Sequence, residues 1–141
     1  ADTTVNMNPT AKTLVDTTLL TAEEVKRFNI EPKIALLSYS NFGTYRGQGS
    51  PGRAKEAVEI LHKSHPELVV DGEMQANYAL NGKLRYKRYP FNKLGDSDAN
   101  TLIFPNLSSG NITYKVLQSL GTAEAIRPKS IGMKNNIHIL L

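Results

Sequence analysis

Apolar residues recur at Ala11, Leu14, Val15, Ala22 and Val25, the three-to-four-residue step of a single helix face. Thr10 offers a capping hydroxyl in front of this stripe and Asn29 closes it. A capping-box pattern at Thr21-Ala22-Glu23-Glu24 would split the helix, but the stripe runs through it, so one helix over 10–28 is predicted. The period then changes. Residues 33–38 form an apolar run without alternation, the mark of a strand buried on both faces. A polar, glycine-bearing loop covers 39–49. Ser50-Pro51 then starts a second helix, with Ala54, Val58 and Leu61 facing inward and an end near His65-Pro66. A strand over 68–70 runs into Asp71-Gly72-Glu73, read as a turn, and a short helix follows over 75–80. Residues 83–98 show the least regular pattern. A buried strand over 101–104 precedes a helix that starts around Ser108-Ser109-Gly110-Asn111, carries Ile112, Val116, Leu117 and Leu120, and closes at Gly121. Short strands near Ala125 and over 137–140 complete the pattern.

Buried strands alternating with helices predict an α/β fold, a three-layer α/β/α sandwich with a mostly parallel sheet. At 141 residues the chain has the size of a single domain. With no cysteine it has no disulfide, thiolate metal site or cysteine nucleophile, which fits a reducing, cytoplasmic setting. The longest apolar runs, 34–37 and 139–141, are far short of a membrane helix, so no membrane association is expected. The chain opens at Ala1 without a leader pattern and stops on an apolar, strand-like run, which reads as a segment of a longer protein. The net charge of +4 is mild, and 83–93 supplies five basic residues with no acid. Elsewhere the signs are mixed, and no nucleic-acid partner is expected.

In an open α/β sheet, ligands sit beyond the carboxyl ends of the strands, beside helix N-termini. Two loops have that position. The first holds Ser38, Ser40, Asn41 and Gly43; the second holds Asn106, Ser109, Gly110 and Asn111, with Lys115 one turn further on. Neutral donors, backbone N–H groups and the positive helix end suit a phosphate or carboxylate. The same residues also suit ordinary loops with helix caps, and on spacing alone that plainer reading comes first. No general base stands at a credible place. Asp71 and Glu73 would suit a metal or a substrate hydroxyl, but solvated acids on a glycine turn are commoner. His62 and His65, with Glu59 a turn earlier, have zinc-pair spacing but also fit a helix C-terminus. His138 reads as a core or interface histidine. Bases and aromatics mixed over 83–91 have the composition of a single-strand nucleic-acid platform or an acidic-cofactor site, and more often are plain surface.

The run Phe104-Pro105-Asn106-Leu107-Ser108-Ser109-Gly110-Asn111-Ile112-Thr113-Tyr114-Lys115 resembles the phosphate acetyl/butyryl transferase motif FPDLNxGNIxYK. Val70-Asp71-Gly72-Glu73-Met74-Gln75 resembles that family's VDGELQ, and residues 35–43 its strand and SxS loop. The opening Ala1-Asp2-Thr3-Thr4-Val5-Asn6 and residues 30–43 are similar specifically to the phosphotransacetylase-like C-terminal region of bacterial NADP-dependent malic enzymes. Leu141 stands where the transferases' catalytic Ser-Arg pair would begin, and Asn106 replaces the motif's aspartate. The resemblance implies an isocitrate/isopropylmalate dehydrogenase-like fold and a regulatory, oligomer-forming domain, at least a dimer, that binds acetyl-CoA or an acyl-phosphate-like anion without turnover. N-terminal malic enzyme domains with NADP and Mg or Mn would carry out the oxidative decarboxylation of malate. An active phosphate acetyltransferase and a ligand-free oligomerisation module are the alternatives.

Overall fold

The computed structural model describes residues 1–2, 5–45, 49–121, 129–131 and 137–138. Helix α1 spans Ala11–Arg27, and the Thr10 side chain caps it by accepting the Thr13 N–H. Ala11, Leu14, Val15, Thr18 and Ala22 form its buried stripe; the Thr18 hydroxyl joins it by donating to Leu14 O at 2.7 Å. The helix is continuous through the capping-box pattern. Asn29, at φ 56°, turns the chain out of it.

Strand β1 (Ile34–Leu37) is central and parallel to both β2 (Val70–Met74) and β3 (Thr101–Ile103), giving the order β2-β1-β3. Helix α2 (Ser50–Ser64) links β1 to β2, and α3 (Ala76–Ala79) and α4 (Gly82–Arg88) lie between β2 and β3. Ile34, Leu36, Val70 and Ile103 pack with α1 and α2 through Leu14, Val15, Ala57, Val58 and Leu61. Ala35, Leu37 and Met74 pack with Ala79, Leu94 and Ala99. Both faces of the sheet are therefore covered, as its unalternating strands require, and the molecule is an α/β sandwich with a parallel sheet. After β3, helix α5 (Leu107–Leu120) ends at Gly121, whose φ of 64° provides the left-handed cap. Short antiparallel strands β4 (Lys129–Ser130) and β5 (Ile137–His138) follow, and the Lys129 ammonium pairs with Glu24 of α1.

Several expectations need correction. Asp71-Gly72-Glu73 is not a turn: β2 continues through it, and both carboxylates are buried. The first part of the irregular 83–98 stretch is helical, because the Asn81 side chain accepts the Leu84 N–H and starts α4. Ser50 lies inside α2 rather than capping it; Gly49 is the cap residue and no side chain bonds there. Helix α5 begins at Leu107, one residue before the expected start at Ser108, because Asn106 caps it. The strand expected near Ala125 lies outside the described residues, as do residues 139–141, so the strand predicted over 137–140 is described only over 137–138.

Candidate functional site

Because β1 and β3 are neighbouring parallel strands, the loops that follow them leave the same edge of the sheet. Loop 38–43 is fastened to the end of β2. Ser38 N–H donates to Met74 O at 2.9 Å, Phe42 N–H to Glu73 O at 2.7 Å, and Gly43 N–H to Glu73 Oε1 at 2.7 Å. Asn41 Oδ1 accepts the Gln75 N–H at 2.8 Å, and the Gln75 side chain donates to Tyr39 O at 2.8 Å. Within the loop, Ser38 Oγ accepts the Ser40 N–H at 3.2 Å, while Ser40 Oγ lies 3.1 Å from Thr44 Oγ1 and accepts the Tyr45 N–H at 3.1 Å. Ser40 and Asn41 are buried, so these polar atoms brace the loop.

The register between β1 and β2 breaks between Leu36 and Leu37, leaving Glu73 as the extra residue of a bulge; the Gly72–Glu73 peptide is cis. At Gly72, with φ 149°, an added Cβ would stand 2.6 Å from Leu36 O, so only glycine lets the two strands approach here. Glu73 is 1% exposed, and its Oε2 is buried without a hydrogen-bond partner.

Helix α5 presents its N-terminus at the same edge. Asn106 Oδ1 accepts the Ser109 N–H at 2.9 Å, and Asn106 O accepts the Gly110 N–H at 3.3 Å and the Ser109 hydroxyl at 2.9 Å. Leu107 N–H donates to Met7 O at 3.3 Å. Leu107 and Ser109 therefore already spend their amides on protein acceptors, which leaves the first turn with less anion-binding capacity than a bare helix end. Gly110 is buried against the N-terminal segment: a Cβ there would meet Asp2 O at 2.6 Å. Asn111 is half-buried one residue on. Lys115 is exposed, with its ammonium 5.4 Å from the Tyr114 ring centroid.

The other candidate groups lie elsewhere. Asp71 Oδ1 accepts the Gly72 N–H and Oδ2 the Lys93 N–H; burial pushes its carboxyl above the ordinary aspartate range, against these bonds and nearby His62. His62 Nε2 is 2.8 Å from Val70 O, and His65 Nδ1 is 2.8 Å from Ser64 Oγ. Among the described residues no three His, Asp or Glu side chains gather to hold a metal. His138 falls in β5, where the side chains lie outside the described residues. The basic stretch is not all surface. Arg85 is fully buried and donates to Asn92 Oδ1, Tyr78 O, Ala79 O, Gly95 O and Ser97 O. Two aromatics of this stretch meet a ring of the strand-end loop, a pairing that sequence spacing did not show: Phe42 of loop 38–43 lies 4.9 Å from Tyr89 and 5.3 Å from Phe91, centroid to centroid.

A parallel sheet whose strand-end loops leave one edge beside a helix N-terminus is the arrangement of an α/β sandwich. The chain belongs to the phosphate acetyl/butaryl transferase family, whose profile it matches over residues 1–141. An NADP-dependent malic enzyme of Haemophilus influenzae is 44% identical over 139 residues, 99% of this chain and 18% of that protein. The phosphate acetyltransferase of Clostridium acetobutylicum is 39% identical over 141 residues, 99% of this chain and 42% of that protein. Among solved structures, the EutD phosphotransacetylase from Staphylococcus aureus superposes with a TM-score of 0.89 at 29% identity, covering 99% of this chain and 43% of that one. A phosphotransacetylase from Streptococcus pyogenes gives 0.77 at 40% identity, covering 86% and 36%. The chain thus spans less than half the length of each of these relatives. No helix among the described residues is long and apolar enough to cross a membrane.

Proposed function

We propose that this chain is the phosphotransacetylase-like C-terminal region of an NADP-dependent malic enzyme, where it binds acetyl-CoA or an acyl-phosphate-like anion without turning it over. The similarity to the Haemophilus malic enzyme over 99% of this chain, matching 18% of that protein, carries the assignment. The site geometry supports the absence of turnover. Ser40 Oγ, Asn41 Oδ1 and Asn106 Oδ1 are committed to loop and cap bonds, and the Glu73 carboxylate accepts the Gly43 N–H. In this reading the anion is held by neutral donors of the two loops that these bonds leave available, and no group among the described residues is assigned to move a proton.

In this reading the full-length protein oxidatively decarboxylates malate, and its N-terminal domains carry NADP and the divalent metal. The chain then serves as a regulatory and dimer-forming unit. The 39% identity to a phosphate acetyltransferase favours a second reading, an active acetyl transfer between coenzyme A and phosphate. Two assays on the full-length protein separate them. Malate-dependent NADP reduction that changes with acetyl-CoA, without acetyl phosphate formation, supports the regulatory reading. Robust acetyl phosphate formation overturns it. Asn111→Leu should weaken the acetyl-CoA effect while leaving the fold intact.

A further inference from the structure

The rings beside loop 38–43 have a use that the loop itself does not explain. Phe42, Tyr89 and Phe91 stand within 4.9–6.1 Å of one another, and Tyr78 meets Tyr89 at 5.3 Å. Phe42 and Tyr89 are half-buried, whereas Phe91 is 66% exposed. Phe42 holds a left-handed backbone, φ 47°, a conformation a phenylalanine keeps only when its surroundings impose it. Here the Phe42 and Gly43 amides are both bonded to Glu73, which sets the ring against Tyr89 and Phe91. Lys83, Lys87, Arg88 and Lys93 from the same segment are exposed, and no acid interrupts 83–93.

We propose that the Phe42–Tyr89–Phe91 cluster is a stacking platform for the adenine ring of a polyanionic nucleotide. This rests on the acetyl-CoA reading above, in which it takes the nucleotide end of the ligand. An exposed ring supplies the stacking face, and the exposed cations complement the phosphates. A single strand would need successive exposed rings for successive bases, whereas Phe91 is the one ring of the three left exposed. The placement fits as well. Phe42, which carries one ring of the cluster, bonds through its N–H to Glu73 O of β2, and α5 follows β3 on the other side of β1. From β2 to β3 across β1 is about 10 Å, two strand spacings, a reach that an extended pantetheine arm covers.

The test is titration of the full-length protein with coenzyme A, pantetheine and adenosine 3′,5′-bisphosphate. Phe91→Ala should weaken coenzyme A and the bisphosphate about tenfold, the scale of one lost base stack, and leave pantetheine unchanged. Phe91→Trp should restore both. Replacing Lys87 and Arg88 by Ala should weaken the bisphosphate most at low salt. An unchanged affinity for coenzyme A in Phe91→Ala overturns the proposal, and so does an equal loss for pantetheine. Tighter binding of an adenine octanucleotide than of the bisphosphate overturns it in favour of a strand. If the wild-type protein binds no coenzyme A, the acetyl-CoA reading falls and the bisphosphate alone decides: Phe91-dependent binding upholds the platform, and no binding ends it.

Discussion

Glu73 Oε1 accepts the Gly43 N–H at 2.7 Å, joining the bulge of β2 to the loop after β1. A buried amide that loses such a partner costs about 1–3 kcal/mol. Glu73→Ala should therefore destabilise the protein by roughly that amount and speed hydrogen exchange at Gly43. Glu73→Gln keeps an acceptor for the Gly43 N–H, so it should lose less. Thermal unfolding of the three proteins ranks them. Equal loss in both variants would show that the carboxylate charge, not the bond, holds the loop.

A second contact fixes the helix after β3. A Cβ on Gly110 would stand 2.6 Å from Asp2 O and 3.4 Å from the Phe104 side chain. Backbone on one side and a ring on the other leave little room to yield, so Gly110→Ala should cost about 1–3 kcal/mol despite the better helix propensity of alanine. Gly95→Ala is the contrast: its φ of 62° carries the left-handed penalty of about 1–2 kcal/mol, but a Cβ there meets nothing within 4 Å. Gly110→Ala should thus also disturb the 1–9 segment, visible as faster proteolysis there, whereas Gly95→Ala should not.

Arg85 organises the segment between α3 and β3 by donating to Tyr78 O, Ala79 O, Gly95 O and Ser97 O as well as to Asn92 Oδ1. Burial pulls its guanidinium below the usual arginine range, while Asp98 and Asp71 pull it back. A lysine cannot reproduce the planar fork. Arg85→Lys should cost about 2–4 kcal/mol, because several buried carbonyls lose donors together. Urea unfolding measures it, and a loss under 1 kcal/mol would show that water replaces the fork.

The alternation of helix and strand was legible because these elements obey simple periods. The stripe from Ala11 to Ala22, the apolar run at 34–37 and the glycine stop at 121 each appear where the pattern puts them. The misreadings of the buried charges share one cause. Asp71 and Glu73 look like turn residues locally, yet Lys93 and Gly43, 22 and 30 residues away, supply the amides that let a strand bury them. Arg85 looks like surface for the same reason, since its acceptors come from the chain on both sides of α4. The strand-end loops could be found from position alone, whereas the engagement of Ser40 and Asn41 with Tyr45 and Gln75 depends on how the loop closes.

Asp71 gives the last prediction its sign. Burial raises its carboxyl above the ordinary value of 3.8 in the folded state. The folded protein therefore holds the Asp71 proton more tightly than the unfolded chain does. The contribution of this group to stability is complete below the unfolded value and is lost as pH rises through the raised folded value. Asp71→Asn has no such titration, although it carries a constant cost, since its amide oxygen serves only one of the Gly72 and Lys93 N–H groups well. The stability of wild type minus that of Asp71→Asn should accordingly be largest in acid and fall as pH rises from about 4. His62 Nε2 lies 3.9 Å from Asp71 Oδ1, so the comparison is repeated with His62→Gln in both proteins. Denaturant unfolding across the acid range measures the difference, and a flat or rising profile in the His62→Gln background would contradict a burial-dominated carboxyl.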